Sequence, residues 1–388
     1  MREAARAGAR DGPLPLAGLR VVDLGWVWAV PLVGQVLADM GAEVLKVETR
    51  SRLDYSRTTA PVGERPAHPD WALGFHVLHR NKRGLTLDLR TAEGRELARR
   101  LVGVSDVVIE NFAPGTLERL GLGYEELRRA RPDLVMLSIS SAGQTGPLRD
   151  IVTFSPSAGA LSGLETLVGY EGRETLGSQT AFLDPTTALY GLVALLAALE
   201  HRARTGEGQR IDASLLESGV SLMAEPLLDA QWNGRVWGPQ GNAVAGYAPH
   251  NTYPCRGPDS WAAIAVRDEA EWQALLAAMG HPAWARDPRF ADQPARWRHR
   301  AALDELVGRW TATQERDDLV RRLQEAGVPA SAAYTLPELP FQEHFRHRQA
   351  YVPVDHPTMA GELLPGVHWR LSATPGSVRA PAPLLGQH

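Results

Sequence analysis

The acid in the most informative setting is Asp184, which stands before Pro185 at the head of a long apolar run, Ala188 to Leu199. An Asp there is usually a helix N-cap. The same place suits a nucleophile, because a helix dipole holds a carboxylate ionised and its free N–H groups can serve a neighbouring oxyanion. The two roles are compatible. Cations gather at Arg80, Lys82 and Arg83, with Arg90 and Arg119 further on, and again at Arg296, Arg298, His299 and Arg300. Either group could meet phosphates, but charge alone favours a solvated surface. Glu48 could meet a ribose hydroxyl, and there too a solvated strand-end acid is the commoner case. His344 and His347 lie three apart with no third ligand, which favours an exposed helix face over a metal site. The chain contains neither a GxSxG elbow nor a P-loop.

These residues depend on the elements around them. After an irregular start, Leu19 to Leu24 reads as a buried strand, Pro31 to Met40 as a helix closed by Gly41, and Glu43 to Glu48 as a second strand. This β-α-β unit could hold a nucleotide at its first turn. The turn is wrong for a dinucleotide, because Gly25-Trp26-Val27-Trp28-Ala29-Val30-Pro31 puts two indoles where closely spaced glycines are needed. The alternation continues with strands at Leu85 to Leu89, Val107 to Glu110 and Leu134 to Ser140, and helices at Ala92 to Val102 and Tyr124 to Ala130. It predicts a mainly parallel α/β sheet. A long helix from Asp184 to Arg204 and a strand at Gln209 to Ala213 follow. Trp232 to Tyr253, rich in Gly, Pro, Asn and Trp, reads as a linker into a smaller domain. That domain holds a strand at Trp261 to Val266 and helices near Glu269 to Met279, Ala301 to Thr311 and Glu315 to Glu325. The proline-rich end reads as an extended tail.

Composition narrows the class. The 388 residues carry 45 acids against 41 Lys and Arg, a net charge of −4 that gives no footprint for nucleic acid. The single thiol, Cys255, can form no internal disulfide, and no apolar run approaches the ~20 residues of a membrane span. A cytoplasmic enzyme is expected. Most of the eleven tryptophans should be core, with Trp26 and Trp28 on a ligand-facing turn.

Read together, LAGLRVVDLG, GAEVLKVE, the run from NKRGLTLDLR through ENFAPGTLERLGLGYEEL, SISSAGQTGP, and FLDPTTALYG through TGEGQRIDASLLES resemble the class III CoA-transferases, the CaiB/BaiF or formyl-CoA transferase family. The similarity is dense from about residue 16 to 218 and thinner from there to the terminal APLLGQH. It implies an α/β fold with a Rossmann-like large domain over about 1–225, completed by about 330–388, and a smaller α+β domain over 226–329. It implies a homodimer of interlocked rings. It also implies that Asp184 is catalytic, attacking a donor acyl-CoA to give an aspartyl anhydride and then an aspartyl-CoA thioester, with no metal. Coenzyme A or acyl-CoA is then a substrate, not a bound cofactor, and a small carboxylic acid is the acceptor. The matched CoA-binding positions are Val27, Trp28, Ala29, Arg50, Leu87, Arg90, Asn111, Phe112 and Arg119. Several positions depart from the formyl-CoA pattern: Trp28 replaces a Gln, Thr49 an Arg, Val152 a Lys, and Ser155 an acid, while Gly238 to Tyr247 lacks a run of glycines. Formate and oxalate are therefore not expected as substrates, and the indoles suit a bulkier acyl group. An acyl-CoA racemase of the same fold is the nearest rival, but Phe154 fills the place of its His. A CoA-binding protein without turnover is the rival from another class.

Overall fold

The computed structural model describes residues 14–59 and 68–388, so the irregular first segment lies outside the described residues. The chain divides into two units. The first comprises Met1–Glu165, Gly177–Trp237 and His344–His388, and the second Thr166–Leu176 and Gly238–Glu343.

The first unit alternates as its hydrophobic periods predict. In chain order it contains β1 (Arg20–Asp23), α1 (Ala29–Asp39), β2 (Glu43–Glu48), α2 (Leu73–His79), β3 (Arg83–Thr86), α3 (Ala92–Gly103) and β4 (Val107–Glu110). Then come α4 (Thr116–Arg119), α5 (Tyr124–Ala130), β5 (Val135–Ser140), α6 (Ser155–Ser162), α7 (Leu183–Thr205), β6 (Arg210–Ser214), α8 (Leu215–Ser221) and α9 (Ala224–Asn233). The six strands form one parallel sheet in the order β3-β2-β1-β4-β5-β6. Order reverses between β1 and β4, the switch point at which doubly wound sheets open a crevice beyond their carboxyl ends.

Both faces of the sheet are covered, which is why its strands read as continuous apolar runs. Val21, Val107, Ile109, Val135 and Leu137 point to one side, against Val30, Val33 and Leu37 of α1 and Leu183, Ala188 and Leu195 of α7. The alternate residues Val22, Val108 and Met136 point to the other, against Ala98, Val102, Leu117 and Leu127 of α3, α4 and α5. β3 begins two residues before the predicted strand, because it pairs with Leu45–Glu48 and that neighbour ends at Glu48. The long helix α7 is apolar enough, over 23 residues, to cross a membrane by length and composition. Sequence reading missed this by ending the apolar run at Leu199; here one side of the helix packs on the sheet.

The second unit is built on an antiparallel sheet of β7 (His250–Pro254), β8 (Trp261–Ala265) and β9 (Ala330–Ala333), in that order. Helices α10 (Glu269–Ala278), α11 (Gln293–Arg298), α12 (Arg300–Thr311) and α13 (Arg316–Glu325) cover it. Its core gathers Tyr253, Ile264, Trp272, Leu275, Phe290, Leu303 and Leu319. The expected boundary at 226 falls inside α9, and that at 329 falls before β9, which completes this sheet. The supposed linker accordingly contains the end of α9 and most of β7. After α14 (Glu343–His347) the proline-rich end is not simply extended. It folds an antiparallel hairpin, β10 (Tyr351–His356) and β11 (Met359–Pro365), and then runs to the edge of the parallel sheet, where the His388 amide donates to the Gly84 carbonyl at 2.9 Å.

Three expectations about exposure fail together. Arg80 and Lys82 are buried in ion pairs with Asp39 and Asp23, at 2.7 and 2.8 Å, and only Arg83 of that cluster is solvated. Glu48 is buried against the equally buried Arg57. Arg296 is fully buried, bonded to Glu269 and stacked 4.7 Å from the Trp272 ring centre. A cation deep in the fold must be paired, and each of these found an acid or a ring across the fold. Only Trp272 of the eleven tryptophans is fully buried.

Candidate active site

The carboxyl ends of β1 and β4 meet at the switch point. Asn111, just after β4, accepts from the Trp26 amide through Oδ1 and donates to the Trp26 carbonyl through Nδ2, both at 2.8 Å. One side chain thereby ties the loop after β4 to the turn after β1. The Trp26 and Phe112 rings meet edge to face, 6.2 Å between centres, and the Arg52 guanidinium lies 5.1 Å above Trp26. The turn then passes through Val27 at φ 67° before Ala29 opens α1. A β-branched residue there is strained by about 1–3 kcal/mol, so its surroundings must enforce the conformation.

Asp184 is brought to this turn by α7. It is not the N-cap: the helix starts one residue earlier, at Leu183, and Phe182 at the cap position makes no side-chain bond. The capping acceptor comes from α6. Ser155 Oγ accepts from the amides of Leu183 at 2.9 Å and Asp184 at 3.3 Å. This leaves the Asp184 carboxyl free of capping duty and close to the start of the other helix, where the Ala29 amide draws it down. Burial pushes the carboxyl up to about 6, and the Ser155 hydroxyl and the Ala29 amide oppose that rise without cancelling it. Helix N-termini were expected to hold Asp184 firmly ionised; desolvation outweighs them. A carboxylate titrating near 6 is about nine-tenths ionised at pH 7 and only partly hydrated, which suits a nucleophile.

The other matched positions also follow carboxyl ends of strands: Arg50 after β2, Leu87 and Arg90 after β3, Asn111 and Phe112 after β4. Arg90 bonds Asp88 and Ser51 Oγ, both at 2.7 Å, and Ser51 Oγ bonds Thr49 at 2.9 Å, so the ends of β2 and β3 are joined. Arg50 is exposed. Arg119 closes α4, bonded to Thr116 Oγ1 at 2.9 Å. Space beside Gly115 lies 3.1 Å from Arg119 and 3.8 Å from Arg149, which pairs these two guanidiniums at one loop. Val152 stands 80% exposed and Phe154 64% exposed. Sequence reasoning passed over Ser155's capping role, Arg52 and Arg149. Arg149 carried a signal, a cation inside SISSAGQTGPLRD; Ser155 carried none, since capping a helix 28 residues away leaves no local pattern. No cluster of three or more His, Cys, Asp or Glu placed for a metal occurs among the described residues, and His344 and His347 are both exposed on α14.

A parallel sheet that reverses its order between β1 and β4, with a partly buried carboxylate at the start of α7, defines a doubly wound α/β fold. The chain belongs to CoA-transferase family III, whose sequence profile matches residues 16–388. It is 40% identical over 376 residues to succinyl-CoA–D-citramalate CoA-transferase of Chloroflexus aurantiacus, covering 97% of this chain and 92% of that one. It is 36% identical over 379 residues to the succinyl-CoA–L-malate CoA-transferase beta subunit of the same organism, covering 97% and 92%. Among solved structures it resembles a CaiB/BaiF family protein from Brucella suis with a TM-score of 0.89 and 36% identity, covering 97% of this chain and 98% of that one.

Proposed function

We propose that Asp184 carries the acyl group and then coenzyme A between two carboxylic acids. The observation that supports this reading is the Asp184 carboxyl itself, raised to about 6 by burial although Ser155 and the Ala29 amide draw it down. Its oxygen attacks the donor thioester carbonyl and expels CoA thiolate, leaving a mixed anhydride. The thiolate attacks the Asp184 carbonyl, giving an aspartyl-CoA thioester and releasing the donor acid. The acceptor carboxylate attacks that thioester, expelling thiolate and forming a second anhydride. Thiolate then takes the acceptor acyl group and restores the Asp184 carboxylate. Charge builds on the Asp184 carbonyl oxygen in both central steps, and the Ala29 amide is the proposed donor that stabilises it.

CoA enters as a substrate and leaves as one. Arg50, Arg90 and Arg119 would meet its phosphates, and the Val27–Ala29 turn, Leu87, Asn111 and Phe112 its nucleotide and pantetheine arm. Succinyl-CoA is the donor proposed, with a small diacid as acceptor, since relatives at 40% and 36% identity bear succinyl-CoA in their names. The working form proposed is a homodimer. Leu189, Tyr190, Val193 and Leu196 line one exposed apolar face of α7, with Val193 68% exposed, and a second copy would cover it. A cytoplasmic setting suits the buried, unpaired Cys255.

Hydroxylamine added during turnover of succinyl-CoA tests the reading. A hydroxamate on Asp184, absent from Asp184→Asn, is expected by peptide mass spectrometry. Tight CoA binding without any adduct would favour passive binding instead.

A further inference from the structure

The turn that leads into α1 at Ala29 is held by two buried side chains to which the proposed reaction gives no part. Lys46, in the middle of β2 and fully buried, donates to the Gly25 carbonyl and to Asp54 Oδ2, the latter at 3.2 Å. Asp54 is buried too, and its Oδ1 accepts from the Val27 amide at 3.1 Å as well as from Ser56. With Asp23 accepting from the Gly25 amide at 2.8 Å and Asn111 holding both polar groups of Trp26, successive backbone groups of Gly25, Trp26 and Val27 are each tied to a side chain. The pair is ionic: burial alone would lower Lys46, but Asp54, Asp23 and Glu48 leave it raised. Asp54 is left lowered, since Lys46 and the Ser56 and Val27 amides outweigh burial.

A second buried pair next door provides the contrast. Arg57 bonds Glu48, Asp70 and the carbonyls of Pro69 and Pro383, which ties chain segments together without touching the turn. Lys46 and Asp54 instead spend their bonds on either side of Trp26, immediately before the strained φ of Val27. Two residues later the chain delivers the Ala29 amide.

We infer that Asp54, seated by Lys46, is a positioning residue whose carboxylate oxygen holds Val27 in its left-handed conformation and so sets the Ala29 amide toward the Asp184 carboxylate. The inference rests on the reading that Asp184 is the acyl carrier. Its consequence is specific: when the clamp is released, the carboxylate loses a donor while keeping its buried surroundings. The groups bearing on Asp184 are the Ser155 hydroxyl and the Ala29 amide, with no charged side chain among them. Its titration therefore reports the position of that amide.

Two charge-free double variants separate the clamp from the charges. Lys46→Met/Asp54→Leu removes the acceptor for the Val27 amide, whereas Lys46→Met/Asp54→Asn keeps one; replacing a buried ion pair by neutral groups of similar size is tolerated in many folds. The rate of Asp184 hydroxamate formation from succinyl-CoA is followed from pH 5 to 8.5 in the full chain. Wild type should rise through a midpoint near 6. The Leu variant should shift that midpoint up by about one unit, the size expected for a lost hydrogen bond to a carboxylate. The Asn variant should stay near wild type, and Asp70→Asn, which weakens the neighbouring Arg57 pair, should lose thermal stability with its midpoint in place. Equal midpoints in the two double variants, or an equal shift in Asp70→Asn, would overturn the inference while the acyl-carrier reading stands. If the Leu variant does not fold, Asn-variant midpoints displaced by a unit overturn it, and wild-type-like ones support it. No adduct in wild type overturns both.

Discussion

Replacing Asp184 with Asn should abolish transfer and make the protein more stable. The carboxyl is raised from 3.8 to about 6, mainly by burial. At roughly 1.4 kcal/mol per pKa unit, that is about 3 kcal/mol against folding once both states are ionised. The side chain is partly exposed, so solvent screening cuts the effect to about 1–2 kcal/mol. The sign follows from proton binding. Between the unfolded and folded values the native state holds the proton more tightly, so wild-type stability falls as pH rises from about 4 to 6. Above that range the full penalty is present. Asn keeps an oxygen for the Ala29 amide and has nothing to ionise. At about 2.1 cal/mol/K per residue over a unit of this size, the gain corresponds to about 2–4 °C in Tm at pH 8. By pH 5 about half of it should remain, because there the folded carboxyl is mostly protonated while the unfolded one is mostly charged. Thermal unfolding of the two proteins at pH 5 and pH 8, at one protein concentration, measures this. A gain of the same size at both values, or a loss at pH 8, would refute burial as the origin of the raised value.

Ser155→Ala removes the acceptor for the Leu183 and Asp184 amides and should cost about 1 kcal/mol in denaturant unfolding. Because Ser155 also lowers Asp184, the hydroxamate midpoint should move above 6. Glu110, buried at the end of β4, is pushed up to about 7 from 4.5 by burial. Glu110→Gln can still accept from the Phe112 amide, so it should raise Tm at pH 8.5 and lose that advantage as pH falls toward 4.5. Val193→Glu places a charge on the exposed apolar face of α7 and should halve the mass seen by light scattering, with transfer lost alongside.

Much of the fold is legible because its causes are local. Alternating apolar runs of strand and helix length give away β1, β2, β4 and β5 and the helices between them. The carboxyl-end loops that hold Val27, Asn111 and Arg90 follow from that alternation alone. What escapes is whatever depends on partners distant in sequence. Arg80, Lys82 and Arg296 look like solvated charges until the acids or rings that bury them are known. The hairpin of β10 and β11 lacks the clean period of a core strand and so reads as an extended tail in the sequence.

Sequence alone determined that this chain is an α/β enzyme of the CoA-transferase kind and that Asp184, at the head of its longest apolar helix, is the acid to test. Only the tertiary structure decided the acid's chemistry. Ser155 of α6 caps α7 in its place, and burial pushes the Asp184 carboxyl up to about 6. The physical reason is that a residue's type fixes what it can bond, whereas its protonation depends on how much water the fold removes and which distant donors the fold brings within reach.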